Sequence, residues 1–447
     1  MKMNKTIKHF FSGVLILFPI LNSAHIGDMN FGFGDVFLVI AYGLVILSRS
    51  TSKKYSIKKE DIPFWLYIAY LCIISIINGV SIRGFELSSS IIPLARYIFY
   101  GLIIFNNKKM FDVEYGIDFY LKVCVVETIY GYIQYILMTL TGTVLPFVLP
   151  FTTMEYGSYG ADYNARLYQS FLQVDGIRFV GFFPEASHYA EYTLLAIILI
   201  LFKKNRNCKD IVIAASISIA ILLTKSSIGI IGLGVIFVYY LFAVRNISAK
   251  KILGRVALIL AIVVAMLSID NKLNLVEFVS ERLSRITEQQ YAVSGNLRLL
   301  RGFIVFGKAP LLQQIFGIGA GNYANFVETF NITTFYDLVM DRTNEYMNAF
   351  SLLLIRSGIV GTMIYIFFAV RLFGNLTTVQ RLIFLIWLEL FFTENIFFTP
   401  IYVLYLCFLK ADIGSVPSFQ TNKAIYRKEI GNGSYAILNR RISKKKN

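Results

Sequence analysis

The feature that most constrains this chain is a succession of apolar blocks. Each is roughly twenty residues long, the length that carries a helix across a ~30 Å hydrocarbon core. The blocks recur from near residue 9 to near residue 409, with short polar stretches between most of them. Only 16% of the residues are charged, against about a quarter in an ordinary soluble protein. Membrane-barrel strands would be short and alternating, which these blocks are not. The pattern predicts an all-α polytopic integral membrane protein with about twelve transmembrane helices and two large, partly helical outer loops.

The net charge of +16 invites a nucleic-acid reading, but its placement argues for orientation instead. Lys2, Lys5 and Lys8 precede the first block, Arg49, Lys53 and Lys54 follow the second, and Lys203, Lys204 and Arg206 follow the sixth. Basic residues clustered at alternate ends are the positive-inside pattern. No nucleic-acid partner is expected, and both termini are placed in the cytoplasm. The four cysteines fall in spans (Cys72, Cys124, Cys407) or an inner loop (Cys208), so no external disulfide is expected. No Cys/His spacing suits zinc. The first block has a basic start and a weak cleavage candidate at residues 22–24; we read it as an uncleaved span.

Five spans are expected in residues 1–141, at about 9–24, 32–48, 62–80, 87–105 and 117–140. Residues 142–184 form the first large outer loop, too rich in tyrosine to be disordered. Spans six to nine fill residues 185–269. The second large outer loop, 270–345, opens with an amphipathic helix at 275–288. Residues 346–412 hold a re-entrant segment and spans ten to twelve; the helix of that segment is expected over 344–356, with the tenth span running to Arg371. Residues 413–447 are a basic cytoplasmic tail on an anionic leaflet.

Three groups of residues stand out. The stretch RFVGFFPEASHYAE (178–191) places Arg178, Glu185, Ser187 and His188 where a loop meets an apolar helix. Pro184 suits a first helical turn, and Glu185 and His188 share a face at i, i+3. Glu185 and Ser187 are read two ways: as helix caps complementing the dipole, or as chemistry. The second group is Arg298 and Arg301, followed by GIGAGN (317–322). Arginine forks match phosphate oxygens, and the glycine run either cradles an anion or is a turn. The third group is Arg96 and Glu127 at span depth, where a charge is a functional hypothesis or half of a buried structural pair. Lys122 and Arg356 lie nearer span ends and are expected to snorkel. Glu389 and Glu394 receive no role. No Asp-x-Asp occurs in the chain.

These stretches resemble the Wzy-type O-antigen and exopolysaccharide polymerases of the O-antigen polymerase/ligase superfamily. RFVGFFPEASHYA is similar to their Arg-x-x-Gly…Glu-Pro-Ser-x-x-Ala signature, although Pro184 and Glu185 stand in reversed order. Arg301 and Gly317 have the spacing of their Arg-x15-Gly pattern. Residues 224–229 resemble their Ser/Thr-rich span start, and 344–361 their re-entering segment. The related ligases carry a histidine before that asparagine, where this chain has Thr343.

The resemblance implies a bacterial inner-membrane enzyme. It would move a growing glycan from undecaprenyl diphosphate to the non-reducing end of a lipid-linked repeat unit, at the outer face, without metal or cofactor. Flippase and chain-length regulator proteins are the implied partners. On this reading Arg178, Arg298 and Arg301 converge on the diphosphate, with Arg96 beneath it and Gly317 beside it. Glu185 is the first choice for the base and His188 the second. The alternatives are an O-antigen ligase, a transferase of single sugars, or a flippase of the same lipid-linked sugars.

Overall fold

A computed structural model describes residues 4–24, 32–48, 59–143, 145, 172–173, 176–242, 294–338 and 340–419. The expected ninth span, the amphipathic helix at 275–288, most of the first outer loop and the tail beyond 419 lie outside the described residues.

The described chain is helical. Its first half comprises α1 (Lys5–Leu21), α2 (Phe33–Ser48), α3 (Ile62–Ser81), α4 (Leu87–Met110) and α5 (Val113–Thr141). A two-residue antiparallel pair, Leu172–Gln173 with Gly176–Ile177, precedes α6 (Ala186–Leu201), α7 (Cys208–Leu223) and α8 (Ser227–Phe242). Then come α9 (Ser294–Lys308), α10 (Leu311–Phe316), α11 (Tyr323–Thr329), α12 (Ala349–Gly374), α13 (Thr378–Thr393) and α14 (Pro400–Lys410).

Local sequence explains several boundaries. Asn207 and Asp210 form a reciprocal capping box at the start of α7, and Thr377 and Gln380 do so for α13. Thr399 caps α14, with Pro400 at the first helical position, where a missing N–H costs nothing.

Among the described residues, four helices are long and apolar enough to cross a membrane: α3, α4, α5 and α12. Others are shorter than the roughly twenty residues that span a hydrocarbon core. Helix α6 has 16 residues, or about 24 Å at 1.5 Å per residue. Its position accounts for this. Every residue from Tyr189 to Leu201 is buried, and α7, α8, α13 and α5 pack around it. It is a core pillar that meets other helices on all sides.

Helix α12 carries a break. Gly358 adopts φ 61°, ψ −172°, a conformation that favours glycine. The break frees carbonyls that a continuous helix would use. Ile318 donates its N–H to Ile355 O at 3.1 Å, and Gly319 donates to Arg356 O at 2.8 Å. The helix begins at Ala349 rather than at 344, because residues 341–348 are held in irregular contacts with α9.

Candidate functional site

The 178–191 stretch is fastened at one end of the bundle by three contacts. Phe179 N–H donates to Leu223 O at 3.0 Å. Arg178 Nε donates to Thr224 O at 2.7 Å. Glu127, buried on α5, accepts the Phe182 N–H at 2.7 Å. Gly181 lies between, at φ 72°, where a Cβ would sit 2.1 Å from Glu127 Oε1. The glycine is therefore required twice, by backbone conformation and by space. Small residues also seat α6 against α8, since a Cβ on Gly229 would meet the Ala190 methyl at 2.9 Å.

Glu185 occupies the N-cap position of α6 but makes no capping bond. Its carboxylate is turned elsewhere. Ser187 Oγ donates to it at 3.3 Å, and the Arg298 guanidinium pairs with it at 3.2 Å. Burial alone would lift the Glu185 carboxyl, but Arg298 and His188 outweigh burial and hold it below the usual carboxylate range.

Arg298 is the centre of the site. Besides Glu185 it pairs with Glu394, just beyond α13. Its Nε donates to Tyr346 Oη at 2.6 Å, and its guanidinium carbon lies 4.7 Å from the centre of the Tyr346 ring. Its carbonyl accepts from Asn348 N and Nδ2, each at 2.9 Å. Ala349 N–H donates to Glu394 O at 2.8 Å. One arginine thus ties together the 178–191 motif, the 341–348 segment and the end of α13. Sequence reasoning assigned no role to Glu394. Its only signal was a carboxylate at the end of an apolar helix.

Arg301, one helical turn along from Arg298, is placed differently. Its side chain is 1% exposed. Its terminal nitrogens donate to the carbonyls of Asn344 at 2.8 Å and of Asp341 and Arg342 at 3.0 Å. Those donors are spent on main chain, so Arg301 fixes the 341–344 segment. In the resting structure the three arginines make separate contacts. Arg298 meets the motif, Arg178 grips the turn between α7 and α8, and Arg301 holds the 341–344 main chain.

Gly317 is held by close backbone contacts. Its N–H donates to Gln313 O at 2.8 Å, and a Cβ there would meet Arg356 O at 2.4 Å. The Ala320 N–H goes to Ser75 Oγ at 2.9 Å. Asn78 and Tyr70 donate to the Gly317 and Phe316 carbonyls at 2.9 and 2.8 Å. The glycine run threads between α3, α4 and the break in α12, and close backbone approach is what it serves.

The buried Arg96–Glu127 pair does not form. Arg96 pairs with Asp35 of α2 at 3.7 Å, and Asp35 also accepts from Tyr100 Oη at 2.7 Å. Glu127 is occupied by the Phe182 N–H. Lys122 is exposed and pairs with Asp118 one turn away at 2.7 Å. Arg356 does not snorkel. It is buried, hydrogen-bonded to Tyr97 Oη and paired with Glu345.

Among the described residues, no group of three or more His, Cys, Asp and Glu side chains is placed to hold a metal ion. An open depression lined by Lys59, Glu60, Arg371, Gly374 and Asn375 lies at the other end of α12, away from the cluster around Arg298.

What these features define is a helical, membrane-embedded protein with, among the described residues, a concentrated charge cluster around Arg298 at the end of its bundle. Compared with known proteins, the chain matches no family model, and no curated protein matches it significantly.

Proposed function

We propose that the protein is a metal-independent glycosyltransferase of the Wzy-polymerase kind. It would move a growing glycan from undecaprenyl diphosphate onto a second lipid-linked unit at the outer face of the bacterial inner membrane. One observation carries this reading: Arg298 lies 3.2 Å from Glu185. A cation from the second outer segment and a carboxylate from the first motif share one site beside the apolar helices. Ionisable groups are expensive at such a boundary unless something uses or pairs them. Lys203, Arg206, Arg371 and Lys410 gather toward the opposite helix ends, which supports an outward-facing cluster through the positive-inside rule.

The resting contacts suggest a sequence of events. An incoming diphosphate competes with Glu185 and Glu394 for Arg298, and Arg178 adds a second cation. As Arg298 turns to phosphate, Glu185 loses the partner that holds its proton affinity down. It then becomes a competent base for the acceptor hydroxyl. The acceptor oxygen bonds to the anomeric carbon as the diphosphate departs with its bonding pair, and arginines stabilise the leaving charge.

The test is a chromosomal deletion complemented with Arg178→Ala or Arg298→Ala, with glycans sized on gels. Single capped repeat units in the deletion and in both folded variants are the expected result. Normal long chains in both variants would remove the assignment. Long chains left on the lipid carrier would indicate a ligase, and units trapped in the inner leaflet a flippase.

A further inference from the structure

Helix α9 is amphipathic in an inverted sense. Leu300, Phe303 and Ile304, with Gly307 beyond them, are exposed and form an i, i+3, i+4, i+7 row along its outer side. Arg298, Arg301 and Val305 lie on the opposite side, toward the protein. A helix between a protein and water does the reverse, turning its apolar stripe inward and its charges outward. Here the outer row holds no polar side chain. The next helix, α10, exposes Leu311, Leu312 and Phe316 as well.

The neighbours of these two helices set their depth. Both pack against α12. Gly302 lies so close to it that a Cβ there would collide with Ser351 Oγ, and a Cβ on Gly358 would collide with Ile315 O of α10. Under that cover α12 is buried or half-buried at every position from Ala349 to Gly358, and its first exposed residues are Ile359 and Val360. Helix α12 is long and apolar enough to cross a membrane. The part beyond its break, residues 359–374, rises only about 24 Å, against a hydrocarbon core of ~30 Å. A membrane crossed by α12 therefore reaches the stretch that α9 and α10 cover.

The outer row also runs into surfaces of its own kind. The Phe303 ring lies 6.1 Å from that of Phe350, which lies 4.8 Å from that of Phe392, an exposed residue of α13. Tyr70 of α3 donates to Phe316 O at 2.8 Å, which sets α10 beside a second helix of spanning length.

We propose that α9 and α10 are set into the bilayer, with Leu300, Phe303, Ile304, Leu311, Leu312 and Phe316 covered by lipid acyl chains. Hydrocarbon outside makes the apolar-out, charge-in order favourable. The exposed side chains leave water, and the arginines keep their partners in the interior. Residues 294–316, expected within an outer loop, then belong to the membrane, and α9 is a wall one helix thick between acyl chains and the Arg298 cluster. The proposal rests on α12 crossing a bilayer and not on the transfer chemistry.

The experiment is tryptophan fluorescence of the purified full-length protein in phosphatidylcholine vesicles, with plain or brominated acyl chains, and with acrylamide as the aqueous quencher. The variants are Phe303→Trp, Leu312→Trp and, on the exposed side of α12, Phe367→Trp. Subtracting the signal of the native Trp65 and Trp387 isolates the added residue, and thermal unfolding curves establish that each variant folds. The expected result is a loss of the added fluorescence at 303 and 312 in brominated vesicles as large as that at 367, with little effect of acrylamide. Bromine quenching at 367 alone, with 303 and 312 open to acrylamide, would overturn the proposal and leave α12 in the bilayer. Insensitivity of 303 and 312 to both quenchers would overturn it as well, by placing protein on that face. Absence of bromine quenching at 367 would remove the crossing by α12 and the proposal with it. No transferase activity enters the readout, so this surface can fail while the enzyme reading stands, or the reverse.

Discussion

Arg298 and Glu185 meet at 3.2 Å although 113 positions separate them in the chain. The contact draws α9 onto the N-terminus of the central pillar α6. Arg298 also pairs with Glu394, whose side chain is 7% exposed against 36% for Glu185. The deeper partner therefore carries more of the energetic consequence.

Removing the cation should cost more than removing either carboxylate. Arg298→Ala strands Glu394 as a buried, unpaired charge, and is expected to destabilise by about 3–5 kcal/mol. Glu394→Gln in the Arg298→Ala background should recover part of the loss. Glu185→Gln should cost less than Arg298→Ala, since solvent screens the more exposed pair. Thermal unfolding of the three variants in one detergent measures this. Equal effects of Arg298→Ala and Glu185→Gln would place the weight on the wrong partner.

The Glu185 carboxyl is held below its ordinary value, which fixes the sign of a pH effect. A group with a depressed folded pKa stabilises fully above its unfolded pKa, about 4.3 for Glu. That contribution is lost as pH falls through the folded value. Unfolding temperature should therefore drop as the medium is acidified below about pH 4. Glu185→Gln should show a shallower drop there and no change in slope near neutrality. A slope unaffected by the substitution would contradict the assignment.

Gly181→Ala places a methyl against Glu127 Oε1 in a left-handed backbone position. The expected cost is about 1–3 kcal/mol. Glu127→Gln keeps an acceptor for the Phe182 N–H and should be milder. Unfolding curves and chain-length assays of both variants compare the two directly.

Much of the helical layout was legible because hydropathy reports burial in apolar surroundings, whatever supplies them. The same fact leaves lipid-facing and protein-enclosed segments alike in hydropathy. Residues 186–201 are as apolar as a lipid-facing span, yet protein surrounds them. Arg178 stood out by its place where a loop meets an apolar helix, and Gly181 only as part of the Arg-x-x-Gly resemblance. The partners of Arg298 did not, because Glu394 and Tyr346 reach it only through tertiary packing. The main-chain contacts of Arg301 and Gly317 were not legible, because donors bound to main chain and donors awaiting an anion have the same sequence signature. Arg356 looked like a snorkelling residue until Tyr97 and Glu345 were brought to it from elsewhere in the chain.

The role of Arg301 predicts a loop phenotype. Arg301→Lys retains the charge but loses the planar fork that serves three carbonyls. Both Arg301→Lys and Arg301→Ala should release residues 341–344. Limited proteolysis should then cut there faster than in wild type. Resistance equal to wild type in both variants would remove the structural role.

Glycines give an internal contrast. Gly317→Ala would force a methyl to 2.4 Å from a carbonyl oxygen, whereas a Cβ at Gly234 meets nothing within 4 Å. Gly317→Ala should lower expression and unfolding temperature sharply. Gly234→Ala should be neutral or stabilising by up to about 1 kcal/mol through helix propensity. Unfolding temperatures of the two variants decide the matter.

The pillar α6 has a mechanical consequence. Bilayer thickness, tension and lipid composition have no direct purchase on a rod that protein sheathes along most of its length. They reach Glu185 and His188 only by shifting the neighbouring helices. Any reshaping around the Arg298–Glu185 cluster therefore falls to the surrounding helices and to the 341–348 strap, while the rod stays the fixed reference against which they move.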